Sequence, residues 1–183
     1  MRSYLITSPD YYGTSSQEFS QRLERAFVTH MPDFALYRDK ESQNYRELAE
    51  VFVQKCLNFG IDGFLHQDID LACELGAYGV HLTSQQFDLV SHAKDAGLVV
   101  CASAHSLEDI EYLAKIGAHF ATFSPIFETP NKGAPKGIDE LIRVVNQSRI
   151  PLFALGGIID ESHVQALEES GVYGFASIRY FID

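Results

Sequence analysis

Ala118–Phe127 reads AHFATFSPIF, and Glu128–Gly137, directly after it, reads ETPNKGAPKG. Further along, Pro151–Ile158 reads PLFALGGI. The apolar runs FATF and LFAL show no polar–apolar alternation. That is the pattern of strands covered on both faces, as in a parallel sheet flanked by helices. The second run ends in Gly156-Gly157, just before a helical pattern. Glycine lets a backbone come close to a ligand, and a helix start favours an anion. Together the stretches point to a phosphate site beside a mobile, lysine-bearing loop at one end of a parallel α/β barrel.

Working outward, strand and helix patterns alternate along the whole chain. Strands are expected at Tyr4–Thr7, Phe34–Arg38, Gly63–His66 and Gly79–Leu82, then at Leu98–Ala102, Phe120–Ser124, Leu152–Leu155 and Gly174–Ile178. Helices are expected at Ser16–Val28, Tyr45–Phe59, Asp70–Leu75, Phe87–Ala96, Leu107–Ile116, Ile138–Asn146 and Glu161–Ser170. Gly60, Gly76, Gly97, Gly117 and Gly171 follow five of them, as C-terminal glycines do. Ser15 or Ser16 reads as a cap, and Ser106 with Asp109 as a capping box. The motif helix end, Gly, strand recurs as ELGAYGVHL, KIGAHFATF and ESGVYGFAS. Eight strands alternating with seven helices predict one (β/α)₈ TIM barrel over residues 1–183. A doubly wound open sheet is the alternative.

At 183 residues the barrel is lean, below the roughly 200 residues at the short end of the fold. The chain stops just after the eighth strand, so the eighth outer helix is expected to be missing or reduced to YFID. Phe19, Phe27, Val164 and Leu167 are then expected to be partly exposed. A homodimer through that flank is the expectation. The alternative is that Tyr180, Phe181 and Ile182 fold back over the gap.

The formal charge is −11 and the pI about 5.0. A general nucleic-acid binder needs a basic face, so that class is excluded. Three widely spaced cysteines, Cys56, Cys73 and Cys101, read as reduced core residues rather than metal ligands. No apolar run approaches the roughly 18 residues of a membrane span, so a cytoplasmic protein is expected.

In a TIM barrel the chemistry sits at the carboxyl ends of the strands. Those ends carry Thr7-Ser8, Arg38-Asp39-Lys40, His66-Gln67, Thr83-Ser84, Ser103-Ala104-His105, Ser124-Pro125, Gly156-Gly157 and Ser177–Arg179. Thr129, Asn131 and Lys132 follow the sixth. Four cations on the rim of an acidic protein point to an anion. The plainer alternative is a ring of solvated loop residues with local salt bridges.

These residues carry a resemblance. YLIT, LYRDK, DLACELGAYGVHL, ASAHSLEDI, SPIFETPNKGAPKG and LFALGGI together resemble the thiamine phosphate synthase/TenI superfamily, over essentially the whole chain. The resemblance implies a TIM barrel that binds a thiazole phosphate and, in the synthase, a pyrimidine pyrophosphate with magnesium. It also implies pyrophosphate contacts at Arg38, Lys40 and Ser103. A phosphate loop is implied at Thr129, Asn131 and Lys132, with Asn131 in place of a second Thr. A thiazole-phosphate site is implied at Gly156 and Gly157, continued at Ile178 and Arg179, where Arg179 replaces a phosphate-binding Ser.

The departures are chemically pointed. The two magnesium carboxylates of the synthase fall on Gln67 and Gln86, and amides bind magnesium poorly. No metal cofactor is therefore expected. The TenI-type tautomerase uses a His at the sixth strand end, where this chain has Ser124. A proton-transfer role then falls to His66 first and His105 second, while His81, inside GVHL, reads as a core histidine. The leading expectation is a metal-free, TenI-like thiazole tautomerase. A divergent thiamine phosphate synthase and a non-catalytic barrel that binds a phosphorylated ligand are the alternatives.

Overall fold

Eight parallel strands pair in chain order and close on themselves, with β8 returning to β1. The coordinates are a computed structural model that describes residues 1–40 and 42–182. The strands are β1 (Arg2–Ile6), β2 (Phe34–Tyr37), β3 (Asp62–His66), β4 (Gly79–Leu82), β5 (Val99–Ala104), β6 (Phe120–Phe123), β7 (Leu152–Leu155) and β8 (Gly174–Ser177). Outside them lie α1 (Pro9–Tyr12), α2 (Ser16–His30), α3 (Tyr45–Phe59), α4 (Ile69–Leu75), α5 (Val90–Asp95), α6 (Leu107–Ile116), α7 (Gly137–Gln147) and α8 (Glu161–Leu167). The barrel is therefore the closed alternative, not the open sheet.

Alternate residues of each strand face in and out. Leu5, Ala35, Leu65, Val80 and Val100 face the helices in one large core. Tyr4, Ile6, Phe34, Leu36, Phe64, Cys101, Phe153 and Ala176 fill the barrel itself. Phe34, Phe120 and Phe153 close its lower end, with ring centroids 5.5–5.8 Å apart. The interior is thus packed below the carboxyl ends of the strands.

Helix ends follow their local signals. α3 and α6 span the residues expected, and each stops at a left-handed glycine, Gly60 or Gly117. Ser106 and Asp109 form the reciprocal capping box, and Ser15 caps α2. Three features differ from expectation. Helix α1, four residues starting at Pro9, is too short to show a period. One end of each of two expected helices tightens into a 3₁₀ turn, the start at Phe87–Leu89 before α5 and the finish at Glu168–Ser170 after α8. Strand β5 runs two residues further, because Ser103 and Ala104 pair with Thr122 and Phe123.

The expected open flank is absent. Residues Arg179–Phe181 form a 3₁₀ turn that folds back over it. Phe181 lies parallel to Phe175 at 5.8 Å and edge-on to His30 at 5.5 Å. Phe19, Phe27 and Leu167 are buried, and Val164 is only 9% exposed. Full burial of one such ring stabilises by about 1.5–3 kcal/mol. The fold-back alternative accounts for the flank, and the argument for a homodimer through it lapses. The cysteine expectation needs one correction, since Cys56 and Cys101 are buried but Cys73 is exposed. Among the described residues, no helix is long and apolar enough to cross a membrane.

Candidate active site at the carboxyl end of the barrel

A cavity of about 290 Å³ opens at the carboxyl mouth. Arg38 and Lys40 reach it from the end of β2, His66 from β3, Ser103 and His105 from β5 and its end. Thr129 and Lys132 line it from the loop after β6, and Gly156 and Ile178 from the ends of β7 and β8. The floor is Ile6, Leu36 and Leu155. Among the described residues no carboxylate lines it. A wider groove of about 740 Å³ adjoins it, shares Lys40 and His66, and is lined by Gln67, Asp68 and Gln86.

Three expected site residues do not line the cavity: Asn131, Gly157 and Arg179. Asn131 sits in left-handed backbone, φ 59°, within the loop. Arg179 is exposed on the closing 3₁₀ turn. Gly157 lies behind the wall, where a Cβ would meet Glu128 O and Phe127 Cβ at 2.6 Å. Its φ of 71° and the 102° of Gly156 are costly for any residue with a side chain. The loop is pinned at both ends rather than hanging free. Ile126 and Phe127 donate to Leu155 O and Gly156 O at 3.0 Å, and Lys136 and Gly137 donate back to Pro125 O and Ile126 O. Inside it, the Thr129 hydroxyl donates to Phe127 O and the Lys132 N–H to Thr129 O. At the N-terminus of α8 the Asp160 carboxylate accepts from Ser162 Oγ and from the His163 N–H.

The cations are not neutralised by protein. Among the described residues Arg38, Lys40 and Lys132 form no ion pair. Burial pulls the Arg38 pKa down from its ordinary value. The Arg38 N–H donates to Thr7 Oγ1, which fixes the end of β2. Burial, then Arg38 and Lys40, push the His66 pKa down to about 4, so its imidazole is neutral at pH 7. His105 Nδ1 lies 3.4 Å from Ser124 O. A carbonyl only accepts, so Nδ1 is the donor in that contact.

The magnesium that the resemblance implies does not fit these residues. Gln86 Oε1 already accepts from the Thr83 N–H and hydroxyl, at 3.1 and 3.2 Å. The Gln67 N–H donates to His81 O, and its backbone is left-handed, φ 68°. The Asp68 carboxylate caps α4 through Leu71 N. Among the described residues no three His, Cys, Asp or Glu side chains group to hold a metal. Magnesium prefers carboxylate oxygens.

Strand-end position alone also points to Thr83, Ser84 and Ser124, all of which line the cavity. Nothing in their local sequence marks them as contacts. The role of Tyr4 is invisible in sequence, because it reaches the site through His81, 77 residues away.

A closed eight-stranded parallel barrel with helices outside and a cation-lined cavity at its carboxyl mouth is a TIM barrel. The chain belongs to the thiamine monophosphate synthase family, whose sequence model matches residues 3–181. It is 32% identical over 186 residues to a putative thiamine-phosphate synthase 2 of Aquifex aeolicus, covering 100% of this chain and 98% of that one. It is 31% identical over 150 residues to a putative thiamine-phosphate synthase of Geobacter sulfurreducens, covering 79% and 70%. Its fold matches a thiamine phosphate pyrophosphorylase structure from Pyrococcus furiosus with a TM-score of 0.82, at 22% identity over 97% of this chain and 85% of that one. The similarity therefore favours the synthase alternative over the tautomerase expectation.

Proposed function

We propose that this chain is a transferase of thiamine synthesis that joins a pyrimidine diphosphate to a thiazole phosphate. In this reading the thiazole phosphate sits by Thr129, Gly156, Gly157 and Ile178, and the diphosphate by Arg38, Lys40, Lys132 and Ser103. The pyrimidine's bond to the diphosphate oxygen breaks, the electron pair leaves on the diphosphate, and the thiazole takes its place. Such a step needs charge neutralised on the leaving group. The observation that carries the reading is a cavity at which, among the described residues, three cations without an ion pair meet and no carboxylate lines the wall. Arg38 can hold two phosphate oxygens in its planar fork. The relatives' names supply the reaction type. With amides at Gln67 and Gln86, the neutralisation is assigned to side-chain cations rather than to protein-held magnesium.

A second reading, proton transfer on a phosphorylated thiazole, is favoured by the neutral His66 and by His105 in the cavity wall. A general base must be neutral to accept a proton. One experiment separates the readings. Purified protein is given both substrates, with magnesium or with EDTA, and diphosphate release is followed. EDTA-resistant release that requires both substrates is the expected result. Release abolished by EDTA and restored by magnesium would refute the metal-free assignment. No release, with exchange of a carbon-bound thiazole proton into heavy water, would select the isomerase. Binding without either reaction would leave a ligand-binding barrel.

A further inference from the structure

A hydrogen-bonded file runs from the sealed interior of the barrel to the cavity. Tyr4 on β1 places its hydroxyl 3.1 Å from His81 Nδ1 on β4. His81 Nε2 lies 3.0 Å from Ser103 Oγ on β5. Ser103 lines the cavity. Tyr4 and His81 are 1% and 3% exposed. The rings of Phe34, Phe64 and Phe153 surround Tyr4 at 5.2–6.1 Å.

The direction of each bond follows from counting protons. A buried hydroxyl needs an acceptor for its hydrogen. Aromatic rings offer none of comparable strength, and His81 is the hydrogen-bond partner of the Tyr4 hydroxyl among the described residues. Tyr4 therefore donates to Nδ1. Burial, with His66 and Arg38 nearby, pushes the His81 pKa down to about 3, so the ring is neutral and carries one N–H. That hydrogen sits on Nε2 and is donated to Ser103 Oγ. The Ser103 oxygen is then an acceptor from below, and its own hydrogen is left for the cavity. In the reverse tautomer the Tyr4 hydrogen would be buried without an acceptor.

We propose that Tyr4 and His81 are positioning residues that fix Ser103 as a hydrogen-bond donor aimed at an anionic oxygen in the cavity. A serine hydroxyl carries one hydrogen and two lone pairs. Here His81 takes one lone pair and the hydrogen is left to point outward, which favours phosphate oxygens as ligand atoms. A chain of aligned bonds also strengthens its last member. The inference rests on the reading of the cavity as an anion site.

Nitrogen-15 NMR of the ligand-free native protein at pH 7 tests the file directly. The expected spectrum shows His81 with a protonated Nε2 and an unprotonated Nδ1; the reverse assignment overturns the proposal. Calorimetric titration with inorganic diphosphate supplies the second arm. Tyr4→Phe removes the donor to His81 Nδ1 and the polarisation it passes along the file, while Nε2–H keeps its acceptor at Ser103. It is expected to weaken diphosphate by about threefold, less than Ser103→Ala, with the Nε2–H signature kept and the Nδ1 resonance shifted by the lost hydrogen bond. Native affinity in Tyr4→Phe, with affinity lost in Ser103→Ala, overturns the file while the anion site stands. No diphosphate binding by native protein overturns the anion reading and this use of Ser103 together, whatever tautomer the spectrum shows.

Discussion

On the β6–β8 side of the rim a loop backbone packs directly on a glycine pair; on the β3–β4 side the turns are tied by side chains such as Gln86. The first side depends on two left-handed glycines packed under the loop of Phe127 and Glu128. A substitution there has to move backbone. On the second side Gln67 and Gln86 are held by a backbone hydrogen bond and by Thr83. Exchanging a carboxylate for an amide there leaves the strand ends where they are. One barrel can therefore keep one half of its rim while the chemistry of the other half changes. Family membership and the amides at Gln67 and Gln86 are compatible with that division.

The largest effect is expected from breaking the backbone half. Gly157→Ala places a Cβ 2.6 Å from Glu128 O and Phe127 Cβ, at φ 71°. The left-handed conformation costs about 1–2 kcal/mol by itself, and the loop must also retreat. Thiazole phosphate affinity is expected to fall at least ~100-fold, about 2.7 kcal/mol. Calorimetric titration and urea unfolding measure the two effects. Near-native affinity would show that the glycine pair does not shape the site.

The side-chain half is tested through pH. His66 has a folded pKa of about 4, lowered by burial and then by Arg38 and Lys40. An unfolded histidine titrates near 6.5. Between those values the unfolded chain binds more protons, so stability is fully present above about pH 6.5 and is lost as pH falls toward 4. The loss from this residue is about 2–3 kcal/mol. His66→Gln should remove that much of the native decline between pH 7 and pH 4.5 in urea-unfolding free energy. An unchanged decline would mean that His66 charges freely in the folded protein.

Arg38 lies between the halves, and its unpaired guanidinium is the strongest anion contact proposed. Arg38→Ala is expected to weaken inorganic diphosphate by about 10- to 100-fold, the range of a charged hydrogen bond. Arg38→Lys should recover only part of this, because an ammonium lacks the planar fork. Full recovery would reduce Arg38 to a point charge.

What could be read from sequence tracks how local each signal is. The Tyr45–Phe59 helix ending at Gly60, the Ser106–Asp109 box and the GVHL strand are set by neighbouring residues, and the structure has each of them. The strand-end rule placed Arg38, Lys40, His66, Ser103 and Gly156 around one cavity. What escaped depends on contacts between distant segments. Ser103 belongs to β5 only because it pairs with Thr122. Phe181 closes the flank only because Phe175 and His30 meet it. No period or motif encodes such meetings.

The smallest effect sharpens the comparison most. Gln86 Oε1 accepts two hydrogen bonds from Thr83 and so ties the end of β4 to the turn before α5. If that is its work, Gln86→Ala should cost about 1 kcal/mol, the net worth of one ordinary hydrogen bond, and leave turnover equally insensitive to magnesium. Gln86→Asp provides the contrast. Its shorter side chain loses reach to Thr83, so a similar stability cost is expected. It also brings back one carboxylate without a partner at Gln67, and one carboxylate is a poor magnesium site. Only the double variant Gln67→Asp/Gln86→Asp should bring magnesium dependence, read as diphosphate release with and without EDTA. Magnesium-stimulated release in the native protein or in Gln86→Ala would show that the β3–β4 side still recruits metal through other groups. The two halves of the rim would then differ in residues but not in chemistry.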